Sequence, residues 1–138
     1  MTDLHTATLV RYRLEQAQTA LDDARYLLEG SRSAQSIINR GYYSVFYAAL
    51  ALLQLRGLLP TKHVGVISLF DTEFVMKNIF PKELSKTFHR LFEQRQTSDY
   101  RVTSTVTPDK ASEFLEQAAI FVKEISVYLD SLLGEVQQ

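Results

Sequence analysis

The sequence contains no cysteine, and it has only five glycines and three prolines among its 138 residues. Without cysteine there can be no disulfide, no thiolate nucleophile and no cysteine-based metal site, and a reducing compartment such as the cytoplasm suits the chain. The scarcity of glycine and proline predicts long uninterrupted segments, because these residues are the strongest local breakers of regular structure.

Signals for charged or membrane partners are scarce as well. The formal net charge is -1, so a global electrostatic attraction to nucleic acid is excluded and RNA could bind only at a local patch. The N-terminus lacks the features of a signal peptide, and no apolar run reaches the roughly 18 to 20 residues that span a bilayer. We expect a cytoplasmic protein with no membrane contact. Its length suits one domain over residues 1–138, with a core over about residues 8–134.

The common catalytic signatures are also missing. The sequence has no glycine-rich phosphate loop, no HExxH motif and no GxSxG motif. Of its three histidines, His5 lies near the start of the chain and His89 lies in the middle of a predicted helix. We therefore predict neither a metal site nor a cofactor.

Apolar residues recur at alternating spacings of four and three, which predicts an all-α fold. Gly30 is expected to end the first helix, Ser33 to cap the second, Pro81 to open the fourth, and Thr107 with Pro108 to begin the last. The predicted apolar stripes of the first and last helices are Val10, Leu14, Ala17, Leu21, Ala24 and Leu28, and Phe114, Ala118, Phe121, Ile125, Tyr128 and Leu132. The third stripe is His63, Ile67, Phe70 and Phe74. Together they predict an antiparallel up-and-down helical bundle of four long helices plus a short helix.

The second helix contains the stretch YYSVFYAALALL, which is apolar nearly all round and predicts the most buried helix of the bundle. Its aromatic residues Tyr42, Tyr43, Phe46 and Tyr47 point in several directions. They fit either a homodimer interface or packing within one protomer, and the sequence favours neither.

Arg95 stands where the pattern of the fourth helix calls for an apolar residue, after Leu84, Phe88 and Leu91. Asp99 follows one turn later and can pair with it. One interpretation is a partly exposed salt bridge, worth less than about 1 kcal/mol. The other is a groove-facing arginine in a functional site, because burying an unpaired charge costs several kcal/mol.

Two further groups of polar and aromatic residues have open interpretations. His63 opens the third helix, where the helix N-terminus disfavours a charged imidazole; it is either a capping or packing residue or a functional one. Arg40, Tyr43 and Tyr47 share one helical face, which could be a cation–π cluster, a base-stacking platform or an amphipathic surface.

The segment NRGYYSVFYAALALLQLRGLLPTKHVGVISLFDTEFV, followed by LFEQRQTSDYRV, resembles the HEPN superfamily, and in particular its small prokaryotic single-domain members. The similarity extends over about residues 10–132. The resemblance implies an all-helical bundle, a homodimer, and a minimal nucleotidyltransferase partner in what look like toxin–antitoxin modules.

Many HEPN proteins are metal-independent endoribonucleases, in which an arginine is followed a few residues later by a histidine. A base takes the 2′-OH proton, and cations stabilise the charge that develops on the phosphate. Arg95 matches that arginine, but Tyr100 stands at the place of the histidine. Arg56 and His63 have the spacing too, although across a loop. The resemblance thus implies either a ribonuclease whose imidazole comes from His63, or a non-catalytic module that binds nucleotide, RNA or a protein partner.

The resemblance also implies a set of site residues. The expected catalytic residues, which we predict to converge in one groove, are Arg95, His63, Tyr100 and Asp99. The expected nucleotide- or RNA-binding residues beside them are Arg40, Tyr43 and Tyr47. Tyr100 is in addition the candidate acceptor of a nucleotidyl group from the partner.

Overall fold

The computed structural model describes residues 3–100 and 106–134, and for residues 97–100 it describes the backbone alone. Over these ranges the chain is helical and contains no strand, so the predicted all-α bundle of four long helices and a short one is confirmed. The elements in chain order are α1 (Leu4–Glu29), α2 (Ala34–Leu55), α3 (His63–Phe70), one turn of π-helix (Asp71–Val75), α4 (Lys82–Tyr100) and α5 (Pro108–Leu133).

Local side-chain chemistry fixes several helix ends. The Ser33 hydroxyl accepts a hydrogen bond from the Ser36 N–H at 3.2 Å, and the Thr107 hydroxyl accepts one from the Lys110 N–H at 3.2 Å. Both predicted N-caps are therefore confirmed. Gly57 follows α2 with a φ of +71°, a conformation that costs glycine little.

Two other ends differ in detail from the predictions. Gly30 is the C-cap of α1, as predicted, but its φ is -83°. The positive φ of this turn, 53°, falls on Ser31 instead. Pro81 lies immediately before α4, whose first residue is Lys82, so the proline stands just outside the helix and not in its first turn.

Helix α2 is the centre of the bundle and packs against each of the other four helices. Its apolar residues fill the core because nearly every side of the helix faces a neighbour. The fully enclosed apolar side chains of α2 are Tyr42, Val45, Ala48, Ala49, Ala51, Leu52 and Leu53. None of the helices in the described residues is long and apolar enough to cross a membrane.

The third segment was predicted as one continuous helix through Phe74, but α3 changes into a π-helical turn at Asp71–Val75. The Met76 N–H donates to the Asp71 carbonyl, five residues back, at 2.8 Å. The Asp71 carboxylate accepts a hydrogen bond from the Ser85 hydroxyl at 2.7 Å and lies 2.6 Å from Nε2 of His89. The turn thus ties the end of α3 to α4.

The apolar stripe predicted for α5 is wrong at Leu132 and only partly right at Phe114 and Tyr128. Leu132 is 44% exposed, and Phe114 and Tyr128 are only partly buried. The buried residues of α5 are Ala111, Leu115, Ala118, Phe121, Val122, Ile125, Leu129 and Leu133. Leu115 is buried in place of Phe114, and Leu129 in place of Tyr128, so this side of the contact line lies one residue further along the chain from the second turn of α5 onward.

The burial of Leu129 and the exposure of Leu132 predict very different losses of stability when each is replaced by alanine. Leu129→Ala is expected to lower the free energy of unfolding by about 2–5 kcal/mol, because it empties a fully buried position. Leu132→Ala is expected to stay within about 0.5 kcal/mol of the unsubstituted protein. Leucine and alanine are both good helix formers, so propensity does not separate the two variants. Urea unfolding measures the difference, and equal losses would contradict the register.

Candidate functional site

Arg95 follows Phe88 and Leu91 on the inward face of α4, as the sequence pattern predicts. The two apolar residues are fully buried, and Arg95 is partly buried. Its guanidinium carbon lies 5.3 Å from the ring centroid of Tyr42 and 5.3 Å from that of Tyr43. Both distances are within the range of a cation–π interaction. Two aromatic rings of α2 therefore hold the arginine side chain in place.

His63 contacts the same tyrosine from α3. The Tyr42 hydroxyl oxygen is 2.9 Å from Nδ1 of His63, and the imidazole stacks on Phe46 with a centroid separation of 4.2 Å. The structure thus brings Arg95 and His63 together at Tyr42, with the guanidinium near the ring and the imidazole at the hydroxyl.

The surroundings fix the charge states of these groups. Burial raises the pKa of the Tyr42 hydroxyl, so it remains protonated at neutral pH. Burial, and then the charge of Arg95, lowers the pKa of His63. The helix N-terminus suggested the same direction for His63 from the sequence, but the causes differ. The pair is therefore a neutral imidazole hydrogen-bonded to a neutral phenol.

Hydrogen bonding also favours one tautomer of His63. The Tyr42 hydroxyl is fully buried and must donate its hydrogen, and Nδ1 of His63 is the acceptor that the described residues offer. In a neutral ring whose Nδ1 accepts, the remaining hydrogen is on Nε2. His63 then presents an N–H donor, next to the guanidinium donors of Arg95.

The face that carries Arg40, Tyr43 and Tyr47 extends this cluster. The Arg40 guanidinium lies 5.2 Å from the Tyr43 centroid, and the centroids of Tyr43 and Tyr47 are 5.7 Å apart. Arg40 also donates two hydrogen bonds to the Asn39 side-chain oxygen, at 3.1 and 3.2 Å. Of the three interpretations of this face, the geometry contains a cation–π cluster, in which Tyr43 contacts both Arg40 and Arg95.

The four aromatic residues of α2 do not have equal burial. Tyr42 and Phe46 are buried within the protomer at 0% and 8% exposure, which answers the open question for these two in favour of packing within one chain. Tyr43 and Tyr47 are only partly buried and remain accessible beside Arg40. A partner that covered this face of α2 would contact these two rings.

Two predicted site residues fall outside what the structure describes. Asp99 and Tyr100 belong to the backbone of α4, but their side chains are not among the described ones. The predicted pairing of Arg95 with Asp99, and the predicted modification of Tyr100, therefore stay predictions.

Arg56 and His89, which also have chemistry-bearing side chains, are engaged elsewhere. The Arg56 guanidinium lies 3.1 Å from the Glu73 carboxylate and 5.3 Å from the Phe74 ring centroid. Lys77 completes this surface ion cluster, 2.9 Å from the same carboxylate. His89 pairs with Asp71. Within the described part of the chain, no three side chains of His, Cys, Asp or Glu are grouped to hold a metal ion.

Sequence reasoning missed the part played by Tyr42, which it treated only as one of four aromatic residues. A signal was present, because a tyrosine in the middle of an apolar helix must find a hydrogen-bond partner for its hydroxyl. The sequence did not identify the partner, since His63 comes from another helix.

The all-helical fold agrees with the family comparison. The sequence profile of the HEPN domain matches residues 10–128, and the chain belongs to the HEPN domain family. The superfamily resemblance drawn from the sequence is thereby confirmed.

Several proteins are similar to this chain over most of its length. A Thermotoga maritima protein named "UPF0332 protein" is 36% identical over 124 residues, covering 90% of this chain and 93% of the relative. A Methanocaldococcus jannaschii protein named "Putative toxin MJ0142" is 32% identical over 118 residues, covering 86% of this chain and 80% of the relative. The crystal structure of ST0689, an archaeal HEPN homologue, has the same fold, with a TM-score of 0.70 and 19% identity over 87% of this chain and 97% of that one.

Proposed function

We propose that this protein is the toxin-like HEPN component of a toxin–antitoxin module, and that its Arg95 groove binds and cleaves RNA without a metal ion. The observation that carries the proposal is the Arg95 guanidinium, held by the rings of Tyr42 and Tyr43 next to a neutral His63. The toxin name of the Methanocaldococcus relatives supports the biological setting.

Arg95 has the chemistry that a phosphodiester requires. Its planar guanidinium presents five N–H donors in a fork that matches phosphate oxygens. In cleavage, the 2′ oxygen attacks phosphorus and the bond to the 5′ oxygen breaks, leaving a 2′,3′-cyclic phosphate and a 5′-hydroxyl. Charge builds on the non-bridging oxygens during this step, and a preorganised cation beside them stabilises the transition state.

His63 adds a second donor in the tautomer that the Tyr42 hydrogen bond favours. Its Nε2–H would donate to a non-bridging phosphate oxygen, in the way a neutral imidazole polarises a carbonyl in other enzymes. Accepting the 2′-OH proton would require the other tautomer, with Nδ1–H donating to the Tyr42 oxygen. The role of His63 thus depends on the direction of one hydrogen bond.

That hydrogen bond also favours a second candidate function, which is phosphate binding without cleavage. With the Tyr42 hydroxyl donating to Nδ1, both Arg95 and His63 act as donors, and neither supplies a base. A groove of this kind would hold an RNA or nucleotide phosphate for a partner enzyme to act on.

One assay distinguishes the two functions. Purified protein is incubated with tRNA and mRNA in EDTA, and the binding of a labelled single-stranded oligoribonucleotide is followed in parallel. Cleavage in EDTA that leaves 2′,3′-cyclic ends, and that spares a DNA oligonucleotide of the same sequence, is the expected result. Binding without cleavage would favour the second function, and absence of both would contradict the groove as an RNA site.

We further propose that the protein forms a homodimer and acts with a minimal nucleotidyltransferase. Both follow from the superfamily resemblance, and the accessible rings of Tyr43 and Tyr47 give a partner an aromatic surface beside the groove. Light scattering would give a dimer mass, and a monomer at all concentrations would contradict it. After co-expression with the nucleotidyltransferase, mass spectrometry should find a nucleotidyl adduct that Tyr100→Phe abolishes; an unmodified Tyr100 would count against this partner.

A further inference from the structure

A cavity of about 310 Å³ lies next to His63, outside the Arg95 groove. Its walls come from α1, α2, the connection that precedes α3, and the first turn of α3. Among the described residues, none from α4 lines it, so it is reached from a different part of the surface than Arg95. His63 belongs both to the cavity and to the cluster that Arg95 forms with Tyr42.

The polar side of this cavity is positively charged. Arg13 and Lys62 line it, and its described lining contains no carboxylate. Arg13 donates a hydrogen bond to the neutral side-chain oxygen of Gln16 at 2.9 Å. Within the described residues, neither Arg13 nor Lys62 forms an ion pair with an acidic side chain. Two uncompensated cations at one concave site favour an anionic ligand.

Backbone donors add to this charge. Lys62 is the N-cap of α3 and contributes no side-chain capping bond. The first N–H donor with a backbone acceptor at this end is that of Val66, which donates to the Lys62 carbonyl at 3.2 Å. Within the described residues, the N–H groups of residues 63–65 have no protein acceptor, as is usual for the first turn of a helix, and they lie at the positive end of the helix dipole. Of these three residues, His63 lines the cavity.

Gly65 packs closely against Pro60, one of the residues that line the cavity. A Cβ at this position would lie 3.1 Å from Cβ of Pro60, which is closer than side chains ordinarily approach. Glycine thus lets the connection that carries Pro60 and Lys62 lie close against the start of α3. This approach places Lys62 beside His63, the first residue of α3, in the lining of one cavity.

The remaining walls are apolar and amide in character. Phe46, Leu50 and Val66 form an apolar floor, and Gln54 contributes a side-chain amide with both a donor and an acceptor. A planar ring would fit the apolar floor, and its edge could exchange hydrogen bonds with the amide. A lining that combines two cations, an apolar surface and one amide suits a phosphate attached to a planar base.

We propose that this cavity is a second phosphate subsite, which holds the phosphate of a nucleotide adjacent to the one bound by Arg95. The name of the substrate, single-stranded RNA, rests on the proposed function, whereas phosphate binding by Arg13, Lys62 and the α3 amides does not. Two sources share the recognised chemistry: a free nucleotide, and a nucleotide within an RNA strand. An RNA with a phosphate on each side of His63 would engage both subsites.

The test is an NMR titration of the full ¹⁵N-labelled chain with inorganic phosphate, adenosine 5′-monophosphate, adenosine, and a short oligoribonucleotide with or without a 5′-terminal phosphate. We expect phosphate and the monophosphate to shift the amide signals of residues 63–65, and adenosine to leave them nearly unchanged. In the Arg13→Gln, Lys62→Gln double variant, the affinity for the monophosphate should fall at least about tenfold, since two charge-assisted contacts are lost. The matched control is Arg25→Gln, Lys123→Gln, which removes two cations from the groove between α1 and α5 and should leave the affinity unchanged.

The outcomes separate this inference from the proposed function. No shift at residues 63–65, or equal affinity in the double variant, would overturn the subsite even if RNA is cleaved at Arg95. Shifts that the double variant loses would support the subsite even in a protein that cleaves nothing. Tighter binding of the 5′-phosphorylated oligonucleotide than of the monophosphate would identify RNA as the source, and equal binding would identify the free nucleotide.

Discussion

Arg95→Ala is expected to reduce RNA cleavage by about 10²–10³-fold, the usual cost of removing one preorganised donor from a charge-stabilising site. The reason is that the guanidinium is already held against Tyr42 and Tyr43 before a substrate arrives, so its alignment costs little during the reaction. Single-turnover cleavage of a labelled oligoribonucleotide measures the change. If the protein binds without cleaving, the same variant should lose most of its affinity for the oligonucleotide.

Two companion variants sharpen this prediction. Arg90→Ala removes an arginine from the exposed face of the same helix and should change the rate less than about twofold. Arg95→Lys keeps the charge but loses the planar fork, so it should recover only part of the activity. Activity of Arg95→Ala equal to that of Arg90→Ala would exclude the groove as the site. Circular dichroism of each variant checks that the bundle is intact.

His63→Ala is expected to lower cleavage by about 10²–10⁴-fold if the imidazole transfers a proton. His63→Gln distinguishes the two roles of this residue, because a glutamine amide can donate a hydrogen bond but cannot accept the 2′-OH proton at neutral pH. Near-normal activity in His63→Gln would assign a donor role, and a loss as large as that of His63→Ala would assign proton transfer. Activity retained in both variants would exclude the imidazole altogether.

The lowered pKa of His63 gives this prediction a pH dependence. The pKa lies below the ordinary value of about 6.5, so the ring is neutral at pH 7. If His63 accepts the 2′-OH proton, the rate should fall when acidification protonates the ring. The free energy of unfolding should also decrease as the pH falls. Below about pH 6.5 the unfolded chain binds the proton more readily than the folded one, so the contribution to stability is complete above that pH and declines as pH falls through the folded pKa. His63→Gln should flatten both profiles.

Much of the fold was predictable because the signals are local. Ser33 and Thr107 cap helices through hydrogen bonds that span three residues, and the apolar stripes of the long helices need no knowledge of their neighbours. The errors arise where packing decides. The choice between Leu129 and Leu132 depends on how α5 lies across the bundle, and the π-turn depends on Asp71 meeting α4.

In the candidate site, too, the local feature was predictable and the contacts between helices were not. Arg95 was conspicuous in the sequence because a charged residue interrupts an apolar stripe. Its contact with Tyr42, and the hydrogen bond from Tyr42 to His63, join three helices. Contacts between different helices do not produce a repeated spacing of residues, so the sequence pattern could not predict them. The cavity at Arg13 and Lys62 likewise depends on how the connection before α3 folds back, which residue spacing does not encode.

The bond network of Asp71 has a mechanical consequence for this site. Arg95 is on α4 and His63 is on α3, and Asp71 fastens these two helices at Ser85 and His89. Arg95 lies six residues beyond His89, or about 9 Å along the axis at 1.5 Å per residue. A rotation of α4 about its contacts with Asp71 would therefore displace Arg95 in proportion to this distance. A tilt of about 6° there would displace the guanidinium by about 1 Å, an error large enough to cost about 10²-fold in a positioned reaction. A half-exposed histidine on the outside of the bundle therefore contributes to the alignment of Arg95, together with the rings of Tyr42 and Tyr43.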